Sequence, residues 1–185
     1  MIWDISLHLM DLAQNSITAG ATLVEISIRL SSEGMLAITL TDNGSGMDEA
    51  MADKALSPFG TTRTTRKVGL GIPLAKQNAE LTGGTFHLTS SHQQGTRIDM
   101  TFDTRSIDCL PLGDIPQTMV TLIASNPVSP DFVLACASPL GESSLDTRVL
   151  KQALDGVMLS EPEVISWMKD ALTEETQPLF GGILQ

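Results

Sequence analysis

The stretch Leu36-Ala37-Ile38-Thr39-Leu40-Thr41-Asp42-Asn43-Gly44-Ser45-Gly46-Met47 changes character halfway along. Leu36, Ile38 and Leu40 alternate with smaller or polar residues, the period-two pattern of a strand with one covered face. Asp42 lies two residues past Leu40 and continues that covered face, where a carboxylate left without a donor is costly. Asn43-Gly44-Ser45-Gly46 then reads as a tight turn whose missing side chains let a flat ligand approach the backbone. A bare Asp-Asn-Gly turn is also common in hairpins, so its surroundings must decide between the two readings.

Upstream, Thr22, Val24, Ile26, Ile28 and Leu30 alternate with Leu23, Glu25, Ser27 and Arg29, and Ser31-Ser32-Glu33-Gly34 supplies the turn of a hairpin. Before it, Asp4 to Ala19 reads as an amphipathic helix with Asp4 as N-cap and Gly20 past its end. Downstream, Asp48 can cap a short helix through about Leu56, and a polar segment runs from Ser57 to Gly69. The spacing then predicts a helix from Ile72 to Thr82 with Pro73 in its first turn, and a second hairpin formed by Thr85–Ser91 and Thr96–Phe102. Residues 1–103 therefore read as an α+β domain, a two-layer sandwich with helices on one face of a mainly antiparallel sheet.

Residues 104–117 read as a connector, and 104–185 as a C-terminal α/β extension. Within it, Thr118–Ala124 and Phe132–Ala137 are expected as strands, with helices near 146–155 and 161–173.

Composition narrows the function classes. The 185 residues are 42% hydrophobic and 18% charged with a formal net charge of −11, which suits a folded domain and disfavours a nucleic-acid partner. Residues 1–98 carry 7 Lys/Arg against 9 Asp/Glu, while residues 99–185 carry 4 against 13. No apolar run approaches the ~20 residues that span a bilayer, so neither a membrane partner nor a membrane span is expected, and the expected address is cytoplasmic. Cys109 and Cys136, 27 residues apart, form no metal-ligand spacing and read as free thiols.

Two further groups carry chemistry. His8, Asp11, Asn15 and Thr18 recur at steps of three or four and form a polar stripe on the first helix. Gly60-Thr61-Thr62-Arg63-Thr64-Thr65-Arg66-Lys67-Val68-Gly69-Leu70-Gly71 gathers hydroxyls, cations and glycines ahead of a helix N-terminus, a combination suited to phosphate. Thr96 shares the covered parity of Ile98 and Met100, so it can stand beside Asp42 if the strands are neighbours.

Taken in order, Asp11-x-x-x-Asn15-Ser16 with Ala19-Gly20-Ala21, Asp42-x-Gly44-x-Gly46-Met47, Phe59-Gly60-Thr61-Thr62, Gly69-Leu70-Gly71-Ile72 and Gly95-Thr96 resemble the successive boxes of the GHKL superfamily. This superfamily comprises the gyrase, heat-shock chaperone, histidine kinase and mismatch-repair ATPases, and its domain is the Bergerat fold. The resemblance covers roughly residues 4–103. The first helix looks most like the mismatch-repair members, and Ser57–Thr62 with Gly69–Gly71 looks more like the histidine kinase ATPase domain. Over its whole length the chain resembles the stand-alone ATP-binding proteins found with iron-only hydrogenase subunits.

The resemblance implies ATP and Mg²⁺ as cofactors. It implies that Asp42 accepts from the adenine amino group with Thr96 in support, that Gly44, Gly46 and Met47 close on the base, and that Asn15 holds Mg²⁺ through the phosphates. Thr61, Thr62, Arg63, Arg66 and Lys67 would form a lid, and Gly69, Leu70 and Gly71 would bring amides to the phosphates. Asp11 stands where hydrolytic members carry a Glu base and is one methylene shorter, so slow turnover or none is implied.

The expected function is a histidine-kinase-like module that phosphorylates or regulates a protein partner, that is, a protein kinase or a slow ATPase. A mismatch-repair-type conformational ATPase and a non-catalytic nucleotide-gated interaction protein are the alternatives. Apolar stripes at Val149, Leu150, Ala153, Leu154 and at Val164, Ile165, Met168, Leu172 are expected to dock on the sheet or on a second subunit, making a homodimer, or to recognise a partner. The acidic C-terminal half is where a protein partner with a basic face is expected.

Overall fold

Asp4, extended in its own backbone, caps the first helix, its Oδ1 accepting from the Leu7 amide at 2.9 Å. A computed structural model describes residues 4–57 and 70–183. The elements are α1 (Ile5–Thr18), β1 (Leu23–Leu30), β2 (Met35–Asp42), α2 (Glu49–Leu56), α3 (Gly71–Leu81), β3 (Phe86–Ser91), β4 (Gly95–Asp103), α4 (Ile115–Ser125), β5 (Asp131–Ser138), β6 (Gly141–Asp146), α5 (Thr147–Ala153) and α6 (Pro162–Phe180).

The strands form one six-stranded sheet in the order β3-β4-β2-β1-β5-β6. All pairings are antiparallel except β1 with β5, which is parallel. The period-two pattern sets which face is covered: Val24, Ile26, Ile28, Leu36, Ile38, Leu40, Ile98, Met100, Phe102, Phe132 and Leu134 all belong to the buried core. Ile5, Leu9, Leu12 and Ala13 of α1, Ala75 and Ala79 of α3, and the buried stripes of α4 and α6 complete that core. The class is α+β, a mixed sheet with helices over its buried face.

Residues 118–124 are not a strand but the body of α4. Asp114 caps it by accepting from the Gln117 amide at 2.8 Å, and Pro116 sits in its first turn. Thr118, Met119, Val120, Leu122 and Ile123 are buried, while Gln117, Thr121 and Ser125 are exposed at steps of four. Within residues 118–124 only Thr121 is exposed, and so short a mostly apolar run carries too little period to separate helix from strand. The connection from β4 through α4 to β5 is a crossover, as a parallel β1–β5 pair requires. It makes 131–146 a continuation of the same sheet. β6 was not foreseen, because Gly141-Glu142-Ser143-Ser144-Leu145-Asp146 is an exposed edge strand with no apolar alternation. α6 continues to Phe180, seven residues past the expected end at 173.

Candidate functional site

Strand register places one row of residues across the covered face. Ser90 pairs with Thr96, Thr96 with Asp42, Asp42 with Val24, and Val24 with Phe132. The C-terminal half of α1 lies over the polar end of this row. Ser16, 3% exposed, donates from Oγ to Asp42 Oδ2 at 2.6 Å, and the Gly44 amide donates to Asp42 Oδ1 at 2.8 Å. Each carboxylate oxygen thus has one internal donor and keeps a second lone pair for a ligand. Asp42 itself is 7% exposed.

Ser16 was legible only as part of a motif. Its role shows in the helix geometry, where it lies one turn past Leu12 on the buried stripe, a small hydroxyl among apolar residues. Thr96 stands beside Asp42 as expected from its parity, but its Oγ1 is hydrogen-bonded to Ser90 Oγ at 2.9 Å. Ser90 Oγ also accepts from the Met47 amide at 2.8 Å and donates to the Gly95 carbonyl at 3.0 Å, so it pins the turn after β2 to the β3–β4 hairpin.

The turn itself admits little variation. A Cβ on Gly44 would lie 3.0 Å from both Ala19 Cβ and Asp42 Oδ1. Gly46 adopts φ +63°, and a Cβ there would come within 1.9 Å of the Ser91 carbonyl oxygen. The backbone is held by Ser45 N to Ala19 O at 2.9 Å and Gln93 N to Ser45 O at 2.7 Å. Asn43 anchors the other side, its Oδ1 accepting from the Thr22 and Leu23 amides at 2.8 and 2.9 Å. A cavity of about 530 Å³ opens beside Met47, between α2 and β3, lined by Asp48, Ala52, Leu56, Leu88 and Ser90 among others.

On α1 the polar stripe divides. Asp11 and Asn15 are exposed, and neither side chain forms a hydrogen bond among the described residues. Asp11 borders the start of α3: its Oδ2 would lie 3.0 Å from a Cβ on Gly71. Leu70 is the N-cap of α3 and provides no side-chain capping bond, so the first-turn amides and the positive end of the helix dipole face this region. Oxygen ligands and a helix N-terminus suit a hydrated Mg²⁺ and anionic phosphates.

His8, by contrast, is fully buried, with Nε2 2.7 Å from Asn78 Nδ2 of α3 and Nδ1 without a hydrogen-bond partner among the described residues. Burial lowers its pKa below 6.5, opposed by the Asp11 and Asp4 carboxylates. It is a structural link between α1 and α3, and Asn78 is the partner that helical spacing did not reveal. The expected contributions of Thr61, Thr62, Arg63, Arg66, Lys67 and Gly69 lie outside the described residues. Among the described residues no cluster of three or more His, Cys, Asp or Glu side chains forms a metal site, and no helix is long and apolar enough to cross a membrane.

A carboxylate held by two internal donors, a glycine turn packed on a helix end and a helix start that Leu70 does not cap with its side chain are the polar features of this α+β sandwich. Residues 4–106 match the model of the histidine kinase-, DNA gyrase B-, and HSP90-like ATPase family, and the chain belongs to that family.

The chain is 40% identical over 81 residues to the sensor-type histidine kinase PrrB of Mycobacterium tuberculosis, a match covering 43% of this chain and 18% of that protein. It is 33% identical over 64 residues to sporulation kinase D of Bacillus subtilis, covering 35% of this chain and 12% of that protein. The matched region is thus under a fifth of the length of these curated relatives. Among solved structures, the N-terminal domain of a DNA repair protein aligns with TM-score 0.48 and 14% identity over 78% of this chain and 52% of that one. A blue-light activated histidine kinase domain from Erythrobacter litoralis aligns with TM-score 0.39 and 16% identity, over 52% of this chain and 42% of that one.

Proposed function

We propose that this histidine kinase-like ATPase domain binds ATP with Mg²⁺ and uses it to phosphorylate or regulate a protein partner. The observation that carries the reading is the buried Asp42 carboxylate, oriented by Ser16 and Gly44 with lone pairs to spare. Asp42 would hold the adenine amino group, and the Gly44–Met47 backbone would flank the base. Asn15, uncommitted and exposed on α1, would face Mg²⁺, with the first-turn amides of α3 toward the phosphates.

Bound ATP supplies a transferable γ-phosphoryl group. Asp11 sits beside the α3 N-terminus and is the chain's candidate for holding a water, at shorter reach than a glutamate. This geometry favours transfer to a partner over rapid hydrolysis, and the curated relatives named above are kinases. The partner is a phosphoacceptor or a regulated enzyme, and resemblance over the whole chain points to an iron-only hydrogenase system for the latter.

The test is incubation with γ-³²P ATP, Mg²⁺ and candidate partners. Label on a partner that vanishes with Asp42→Asn supports transfer. Label absent from every partner, with phosphate release that depends on Asp11, points to a hydrolase instead.

A further inference from the structure

α6 has two opposed faces. Val164, Met168, Leu172, Thr176 and Leu179 are buried against the rest of the fold. Glu163, Trp167, Asp170 and Glu174 follow at steps of four, three and four, share the diametrically opposite stripe, and are all exposed. Trp167 is 55% exposed at the middle of this stripe. Its neighbours one turn away, Glu163 and Asp170, are both carboxylates, and Lys169, the one cation of the helix, lies off the stripe.

A scattered exposed apolar residue needs no explanation. A tryptophan ringed by carboxylates differs, because Trp is the residue type most enriched among interface anchors and charged rims set partner choice. The sign of the rim selects the occupant. Nucleic acid and anionic lipid would be repelled. A second copy of this chain offers a poor complement: of its eight described Lys/Arg residues, Lys76, Arg97, Arg105, Arg148 and Lys151 are already paired with carboxylates of the same chain. The whole chain also carries −11.

We infer that the outward face of α6 is a docking surface for a protein with an apolar pocket rimmed by Lys and Arg, and that Trp167 is its anchor. This deepens the proposed partner-directed function by naming the surface, and it rests on there being a protein partner but not on nucleotide binding.

The experiment uses the full chain with Trp3→Phe, which leaves Trp167 as its one tryptophan. The probes are an amphipathic leucine–lysine helix, its leucine–glutamate counterpart and an oligolysine. The leucine–lysine helix is expected to shift Trp167 emission to shorter wavelength and to saturate, with affinity falling at least about tenfold from 0.05 to 0.5 M salt. By calorimetry in the parent chain, Trp167→Ala and the pair Glu163→Lys with Asp170→Lys each weaken that binding at least about tenfold.

Emission that does not move, that moves equally with the glutamate helix, or binding that Trp167→Ala leaves intact overturns the inference. ATP titration of the same variants keeps the two ideas separate. Trp167→Ala leaves nucleotide binding unchanged, and a chain that answers the peptide but not ATP would sink the nucleotide reading alone.

Discussion

The Ser16 hydroxyl donates to the Asp42 carboxylate at 2.6 Å, joining helix α1 to strand β2 across 26 residues of sequence. Both groups are buried, so the bond is worth more than its surface equivalent, and its loss strands a charge. Ser16→Ala is expected to lower unfolding stability by about 1–3 kcal/mol and to weaken ATP binding. Urea unfolding with a matched ATP titration reads both. A variant as stable and as avid as the parent would show that Gly44 alone orients Asp42.

Gly44→Ala tests the turn. The added methyl would meet Asp42 Oδ1 and Ala19 Cβ at 3.0 Å, and the Ala19 carbonyl oxygen at 3.1 Å. Overpacking of this kind is expected to cost about 1–3 kcal/mol. A midpoint in urea equal to that of the parent would mean that the α1 end yields freely.

How much of this was legible in the sequence depends on the kind of signal. Period-two alternation gave both hairpins with their covered faces and put Asp42 and Thr96 on one face, and the β2–β4 register then makes them neighbours. The capping aspartates Asp4 and Asp48 marked two helix starts correctly. α4 was hidden because residues 118–124 form a short, mostly apolar run with a single exposed position, although Asp114 and Pro116 were signals of a helix start. Ser16 and Asn78 were hidden for another reason. Their partners, Asp42 and His8, are 26 and 70 residues away, and such contacts depend on how helices settle on the sheet. Ser90 was hidden too: it shares a hydrogen bond with the Thr96 hydroxyl across the hairpin, a partner that strand parity alone did not single out.

His8 should make stability depend on pH. Its folded pKa is below the unfolded value of about 6.5, so the unfolded chain binds more protons in that region. Stability is therefore full above pH 6.5, falls as pH drops through the window down to the lowered native pKa, and levels off beneath it. Unfolding free energies between pH 7.5 and 5 should show this slope in the parent and lose it in His8→Gln. Parallel curves for the two would contradict the neutral, Asn78-bonded imidazole.

Cys136 should be chemically quiet. Burial, with the Glu175 charge added, pushes its thiol up to about 12, which leaves roughly one part in ten thousand as thiolate at pH 8. Cys109, half-buried, is also pushed up, by burial first and then by Asp103. Iodoacetamide at pH 8 is expected to label Cys136 only after denaturation. Rapid native labelling at Cys136 would mean that the edge strand β6 detaches from β5.

The most direct test of the nucleotide site is calorimetric titration of the full chain with ATP and Mg²⁺, run in parallel on Asp42→Asn. An amide at position 42 keeps the size but replaces one acceptor oxygen with a donor, so it cannot present an acceptor to both Ser16 and the Gly44 amide, and one side of the carboxylate's site is lost to the ligand. Saturable binding to the parent that weakens at least about tenfold in Asp42→Asn is the expected result. Equal binding by both chains, or none by the parent, would contradict it.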